Sequence, residues 1–202
     1  MLRLFKQASI DQAVDLAFLH PNERLRYDAM GSDVAKQQFA LGRCLAKQAY
    51  CELSGDDRDV ADIEIRNGCH GHPYVSGSDF QVSVSHCKAA VVAVCSEPGA
   101  IIGIDMETLD RSTRAIRRYC SAAERALVPI ADDEHAYLCL WSLKEALSKA
   151  LRLGFLIDFR MLAISECHEK DEGYGCKFSH ISGMRGAFQL QKNVVVSEVF
   201  SS

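Results

Sequence analysis

Three acidic residues and a small set of cations hold the chemistry available to this chain. Asp105 and Glu107 stand two apart in the run AIIGIDME, which reads as a strand, so both side chains leave one face with α-carbons about 7 Å apart. Carboxylates that close can share a cation, and oxygen-only donors suit magnesium or manganese. In WSLKEALSKAL, Trp141, Glu145 and Lys149 recur every fourth residue and step around a helix by about 40° each, with Lys144 flanking Glu145. Arg43 lies in an apolar helical run, and Ser85 and His86 close an alternating strand. Each feature alone has a plainer reading: a solvated strand end, an i,i+4 ion pair on a wet surface, a core histidine. Together, Asp105, Glu107 and Glu145 around a divalent cation, ringed by His86, Lys144, Lys149 and Arg43, would suit a polyphosphate ester. Arg111, Arg114 and Arg118 follow i, i+3, i+7, which on a helix makes a cationic stripe for an acidic partner.

These residues need elements to position them. Asn22 to Tyr50 reads as helix, capped by Asn22 and interrupted at Gly31 and Ser32. DIEIRNG reads as an edge strand followed by glycine-rich loops, FQVSVSHC and AAVVAVCS as a hairpin with a buried second strand, and AIIGIDME as a third strand. Helices follow over about Arg111–Leu127 and Asp133–Leu153, and Phe155–Ser202 reads as antiparallel strands packed on them. Phe39–Tyr50 and Leu140–Leu151 are both apolar helices set with basic residues, about half the chain apart. One alignment places Arg43 on Lys144, and FQVS at Phe80 resembles FQLQ at Phe188. The predicted fold is therefore α+β, with two similar, pseudo-twofold halves at 1–98 and 99–202, the second bearing the metal and catalytic motifs, and a ligand cleft between them.

Composition narrows the function further. A net charge of -4 lacks the basic excess that non-specific nucleic-acid binding requires. No stretch approaches the roughly 18 uncharged apolar residues of a membrane span, and the first residues alternate instead of forming a signal-peptide block, so a soluble cytoplasmic monomer is expected. The nine cysteines are scattered and form no CxxC pair, which reads as reduced thiols. Two groups, Cys69 with His70 and His72, and Cys167 with His168, Cys176 and His180, lack the tight ligand pairs of structural zinc.

GIDME at Gly103–Glu107 followed by WSLKEALSK at Trp141–Lys149 resembles the paired signature of the 4′-phosphopantetheinyl transferases, and further motifs resemble the surfactin-type, pseudo-dimeric branch. Ser85-His86-Cys87 is similar to its S-H-S motif, Tyr119–Glu124 to its F-[ST]-x-x-E segment, Phe39–Lys47 to its arginine-bearing first helix, and Glu23-Arg24 to its early E-R pair. The resemblance implies a magnesium-dependent enzyme in which a serine of an acyl or peptidyl carrier protein attacks the β-phosphate of coenzyme A, releasing adenosine 3′,5′-bisphosphate. It further implies that Asp105, Glu107 and Glu145 bind the metal, that Glu145 and Lys149 are catalytic, and that Arg43, Lys47, His72, Ser85, His86, Lys144 and Lys149 hold coenzyme A. Arg111, Arg114 and Arg118 would meet the carrier. Gly71-His72-Pro73 departs from the family's G-[KR]-P by replacing a permanent cation with a group of pKa near ~6.5. The alternative reading is a coenzyme A- or carrier-binding module of the same fold without turnover, and a third is a metal-dependent phosphoesterase using water in place of serine.

Overall fold

The computed structural model describes residues 2–202. Contacts divide the chain into two units, meeting at Ile102 and Gly103. In the first, strand β1 (Arg3–Ser9) is followed by helices α1 (Pro21–Asp28) and α2 (Asp33–Ser54), then β2 (Ile65–Asn67), β3 (Pro73–Val75), β4 (Gln81–His86) and β5 (Ala90–Ser96). The second runs β6 (Ile102–Thr108), α3 (Ala122–Leu127), α4 (Asp133–Ala150), β7 (Ile164–Lys170), β8 (Gly173–Phe178), β9 (Met184–Gln191) and β10 (Val194–Ser201). The fold is α+β with two five-stranded antiparallel sheets, ordered β1-β5-β4-β3-β2 and β6-β10-β9-β8-β7.

The helix between 22 and 50 is indeed interrupted at Gly31. Ser32 caps α2 by accepting the Ala35 amide, and the helix runs on to Ser54. The cap of α1 is His20 instead of Asn22: its ring accepts the Asn22 amide while Glu23 reaches back to the His20 amide, a reciprocal capping box. The β4–β5 hairpin pairs Gln81 with Ser96 and His86 with Val91. Every residue of β5 is buried, as its unbroken apolar run requires of a strand flanked by β1 and β4. β6, read as a third strand after that hairpin, instead opens the second sheet.

The helix expected over Arg111–Leu127 is a correction. Residues 109–116 turn without forming α-helix, Arg117–Tyr119 make a single 3₁₀ turn, and α3 begins only after Ser121. Glu134 captures both the Thr113 amide and its hydroxyl, and Ser121 with Glu124 forms a capping box that starts a new helix there. The i, i+3, i+7 spacing of Arg111, Arg114 and Arg118 therefore describes no helical stripe. Arg111 turns back onto β6, whereas Arg114 and Arg118 are exposed.

Each unit buries a lysine. In the first, the Lys47 ammonium contacts Glu23 at 2.7 Å and donates to the carbonyls of Phe18 and Val60 at 2.9 and 3.1 Å. In the second, Lys144 contacts Glu124 at 2.8 Å and donates to the carbonyls of Tyr119 and Phe159 at 2.6 and 3.2 Å. Both lysines are fully buried, and an ammonium has three protons, so each is saturated. The acid is held alike in both: Glu23 also accepts the Ile65 amide and Glu124 the Ile164 amide, and each closes a capping box.

Candidate functional site

In the second unit α4 lies directly against β6, because Gly103 presents no side chain. A Cβ there would collide with the Ala146 carbonyl oxygen and the Ala150 backbone nitrogen. That contact sets α4 so that Glu145 and Lys149 meet the strand two and more residues farther on. Ligand oxygens of Asp105, Glu107 and Glu145 all lie within 4.8 Å of one another, the one such group among the described residues. Asp105 and Glu107 are buried and Glu145 half-buried.

Two cations stand on this cluster. Lys149 Nζ is 2.7 Å from Asp105 Oδ1, and Arg111 is ion-paired to Glu107. Three carboxylates against two cations leave one negative charge uncompensated when all are ionised. Glu145 carries the cost: burial, and then the Asp105 carboxylate, push its pKa up to about 7, against the pull of Lys149 and Arg111. A hard divalent cation would relieve that repulsion, and three converging oxygen donors fit one.

Trp141, one turn before Glu145, opens the WSLKEALSK run but had no role assigned to it from the sequence. Its indole nitrogen donates to Glu107 Oε1 at 3.1 Å, its ring stacks on Phe159 at 4.9 Å between centroids, and the Arg111 guanidinium lies 5.7 Å above it. Trp141 thus fixes both the carboxylate and the cation that pairs with it. An indole at i-4 from an acid on the same face was the signal.

Lys144 does not join this group. Adjacent residues on a helix point about 100° apart, and Lys144 is directed into the core onto Glu124. Burial alone would raise the Glu124 carboxyl, but the Lys144 ammonium and the Ser121 and Ile164 amides together hold it below its ordinary value. Lys144 as a phosphate clamp is therefore corrected: all its protons are taken by protein acceptors. Lys47 is corrected on the same ground. Their acidic partners, Glu23 and Glu124, entered the sequence reading only as parts of the E-R pair and the F-[ST]-x-x-E segment, with no role assigned, although Ser121-Ala122-Ala123-Glu124 is a legible capping-box pattern.

The first unit contains a cavity of about 330 Å³ whose lining includes Arg26, Phe39, Gly42, Arg43, Asn67 and His86. Arg26 and Arg43 both donate to the single side-chain oxygen of Asn67, and their guanidinium carbons sit 5.4 and 4.8 Å from the Phe39 centroid. Arg43 also lies 3.6 Å from Glu23 through its Nε, and two guanidiniums in one cavity lining offer more N–H donors than one neutral amide can accept, a donor set suited to an oxyanion. Burial lowers Arg43 to about 10, with Glu23 opposing and Arg26 adding to the fall. His86 is exposed and lines this cavity, so it is no core histidine. Ser85 is buried on β4 opposite Val92. His72 is not among the lining residues: its ring covers Gly68, and its carbonyl accepts the Gly68 amide. Arg26 and Asn67 escaped the sequence reading, because nothing in their spacing links them to Arg43.

Neither histidine–cysteine cluster adds a metal group to the acidic one among the described residues, and none of the described helices is long and apolar enough to cross a membrane.

No curated protein matches the chain. Among solved structures, a crystal structure of a holo-(acyl-carrier-protein) synthase from Bacillus anthracis in complex with CoA (3′,5′-ADP) is 24% identical, over 46% of this chain and 91% of that one, with a TM-score of 0.41. Residues 101–183, which hold Asp105, Glu107, Trp141, Glu145 and Lys149, match the family model of the 4′-phosphopantetheinyl transferase superfamily.

Proposed function

We propose that the protein is a surfactin-type phosphopantetheinyl transferase, moving the 4′-phosphopantetheine group of coenzyme A onto a serine of an apo acyl or peptidyl carrier protein. The observation that carries this reading is the convergence of Asp105, Glu107 and Glu145 within 4.8 Å, with Lys149 on Asp105, inside the segment that matches the family.

In this reading Asp105, Glu107 and Glu145 hold a magnesium ion, which supplies charge neutralisation to the coenzyme's diphosphate. The Glu145 carboxylate accepts the serine hydroxyl proton as the new Ser Oγ–P bond forms and the bond to the departing adenosine 3′,5′-bisphosphate breaks. The Lys149 ammonium, held by Asp105, donates to the leaving phosphate oxygen. Trp141 and Arg111 keep Glu107 in place. Arg43, Arg26 and His86 offer donors to coenzyme phosphates, with Asn67 ordering the two guanidiniums. Arg114 and Arg118, exposed and cationic, meet the acidic carrier from a turn instead of a helix face.

Incubating apo acyl and peptidyl carrier proteins with coenzyme A and magnesium, and weighing the products by mass spectrometry, tests the reading. The prosthetic-group mass appears on the carrier with the wild type and is lost with Glu145→Gln. No mass gain on any carrier overturns it, and release of the adenosine bisphosphate with the carrier omitted identifies a phosphoesterase.

A further inference from the structure

Cys167 and Cys176 lie opposite each other as register partners in the antiparallel β7–β8 pair. Directly opposed residues in such a pair have α-carbons about 4.5–5.5 Å apart, within the roughly 4.4–6.8 Å that a disulfide spans. Both pack on the apolar core of the second unit, where Cys176 is 2% exposed. β7 is the outermost strand of its sheet, and Cys167 is only half-buried, so a reagent can reach it from the edge. Beside Cys176, Cys167 is drawn below the ordinary thiol range, while the same neighbour and burial raise Cys176. Neither is part of a disulfide.

We propose that Cys167 and Cys176 form a reversible dithiol site that takes a small disulfide of the glutathione type and closes into a cross-strand disulfide. The Cys167 thiolate attacks one sulfur of the reagent, forming a mixed disulfide and expelling one reagent thiolate. That step removes the charge on Cys167 that had held the proton on Cys176. Cys176 then loses its proton, attacks the Cys167 sulfur and expels the second reagent thiolate. Two electrons pass to the small disulfide, which leaves as two thiolates; one takes the proton lost by Cys176 and the other a solvent proton, matching the one Cys167 released on ionising. The division of roles follows from position: Cys167 at the edge attacks, and buried Cys176 resolves. This site is independent of the transferase reading.

The test treats the native 202-residue chain with glutathione disulfide at neutral pH, blocks remaining thiols by alkylation, and maps peptides without reduction. A Cys167–Cys176 linked peptide is expected, with two of the nine cysteines lost to alkylation and regained after dithiothreitol. Cys176→Ser should stop at a glutathione adduct on Cys167, and Cys167→Ser should leave Cys176 unmodified. Should either variant fail to fold, the wild-type time course still decides, since an adduct on Cys167 must precede the link. Alkylation of both residues after oxidation, a stable adduct without a link, or a link that forms only in denaturant each overturns the proposal.

Discussion

The two units share an element and strand order and differ in where they gather charge. Their sheets share a strand order, and each sets a fully buried lysine of its long helix on two carbonyls of 3₁₀ turns and on a capping-box glutamate that also accepts a strand amide. Placing Lys47 on Lys144 puts Gln48 on Glu145 and Glu52 on Lys149. The strand-to-helix ion pair then recurs with its signs exchanged: Lys6–Glu52 at 2.5 Å in the first unit, Lys149–Asp105 at 2.7 Å in the second. One turn earlier the difference reverses. Phe39, Gly42 and Arg43 line a cavity, whereas their counterparts Ala136, Cys139 and Leu140 are wholly buried. What the units share holds the helix to the sheet; what they do not share is a cationic cavity in one and an acidic cluster in the other.

The comparison can be broken or sharpened by substitution. The largest effect is expected at Glu145, where Glu145→Gln should lower kcat for carrier modification by about 10²–10⁴-fold, the usual worth of a positioned base. Gln48→Glu, the matching change in the exposed counterpart, should leave kcat unmoved, and parallel losses would end the assignment of chemistry to the second unit. Next come the buried lysines. Lys47→Met and Lys144→Met each strand a buried carboxylate and should cost about 3–5 kcal/mol by urea denaturation. Costs differing by more than about 2 kcal/mol would deny that the two arrangements are equivalent. Because the folded Glu124 carboxyl lies below 4.5, its contribution is present above that pH and is lost as pH falls through the lowered value. Lys144→Met should remove that part of the acid sensitivity. Arg43→Ala, which deletes a charge-assisted donor from the cavity, should raise KM for coenzyme A by an amount equivalent to about 1.5–3 kcal/mol with kcat little changed. The smallest effect belongs to Lys6 and Glu52: removing either should change stability by less than about 1 kcal/mol, since Glu52 is more than half exposed and water screens the pair.

Much of this was legible in the sequence. A period of two brought Asp105 and Glu107 to one face, a period of four aligned Trp141, Glu145 and Lys149, and an unbroken apolar run marked β5 as a central strand. The failures have physical causes. A buried lysine is written like an exposed one, so the repeat was set one helical turn off, with Arg43 instead of Lys47 opposite Lys144. Arginines at i, i+3 and i+7 suggest a helix only where nothing competes for the backbone, and Glu134 competes at Thr113. The cavity was illegible because Arg26, Arg43 and Asn67 come from three separate elements that only packing brings together.

Lys144 and Glu145 are neighbours in the chain with unrelated surroundings, one a foundation bolt in the core and the other, in the proposed function, a working edge. A conventional alanine scan of this dipeptide would record inactivity at both positions and credit both with catalysis. Only a measurement that separates the amount of folded protein from the turnover of each folded molecule would tell the anchored cation from the proposed base beside it.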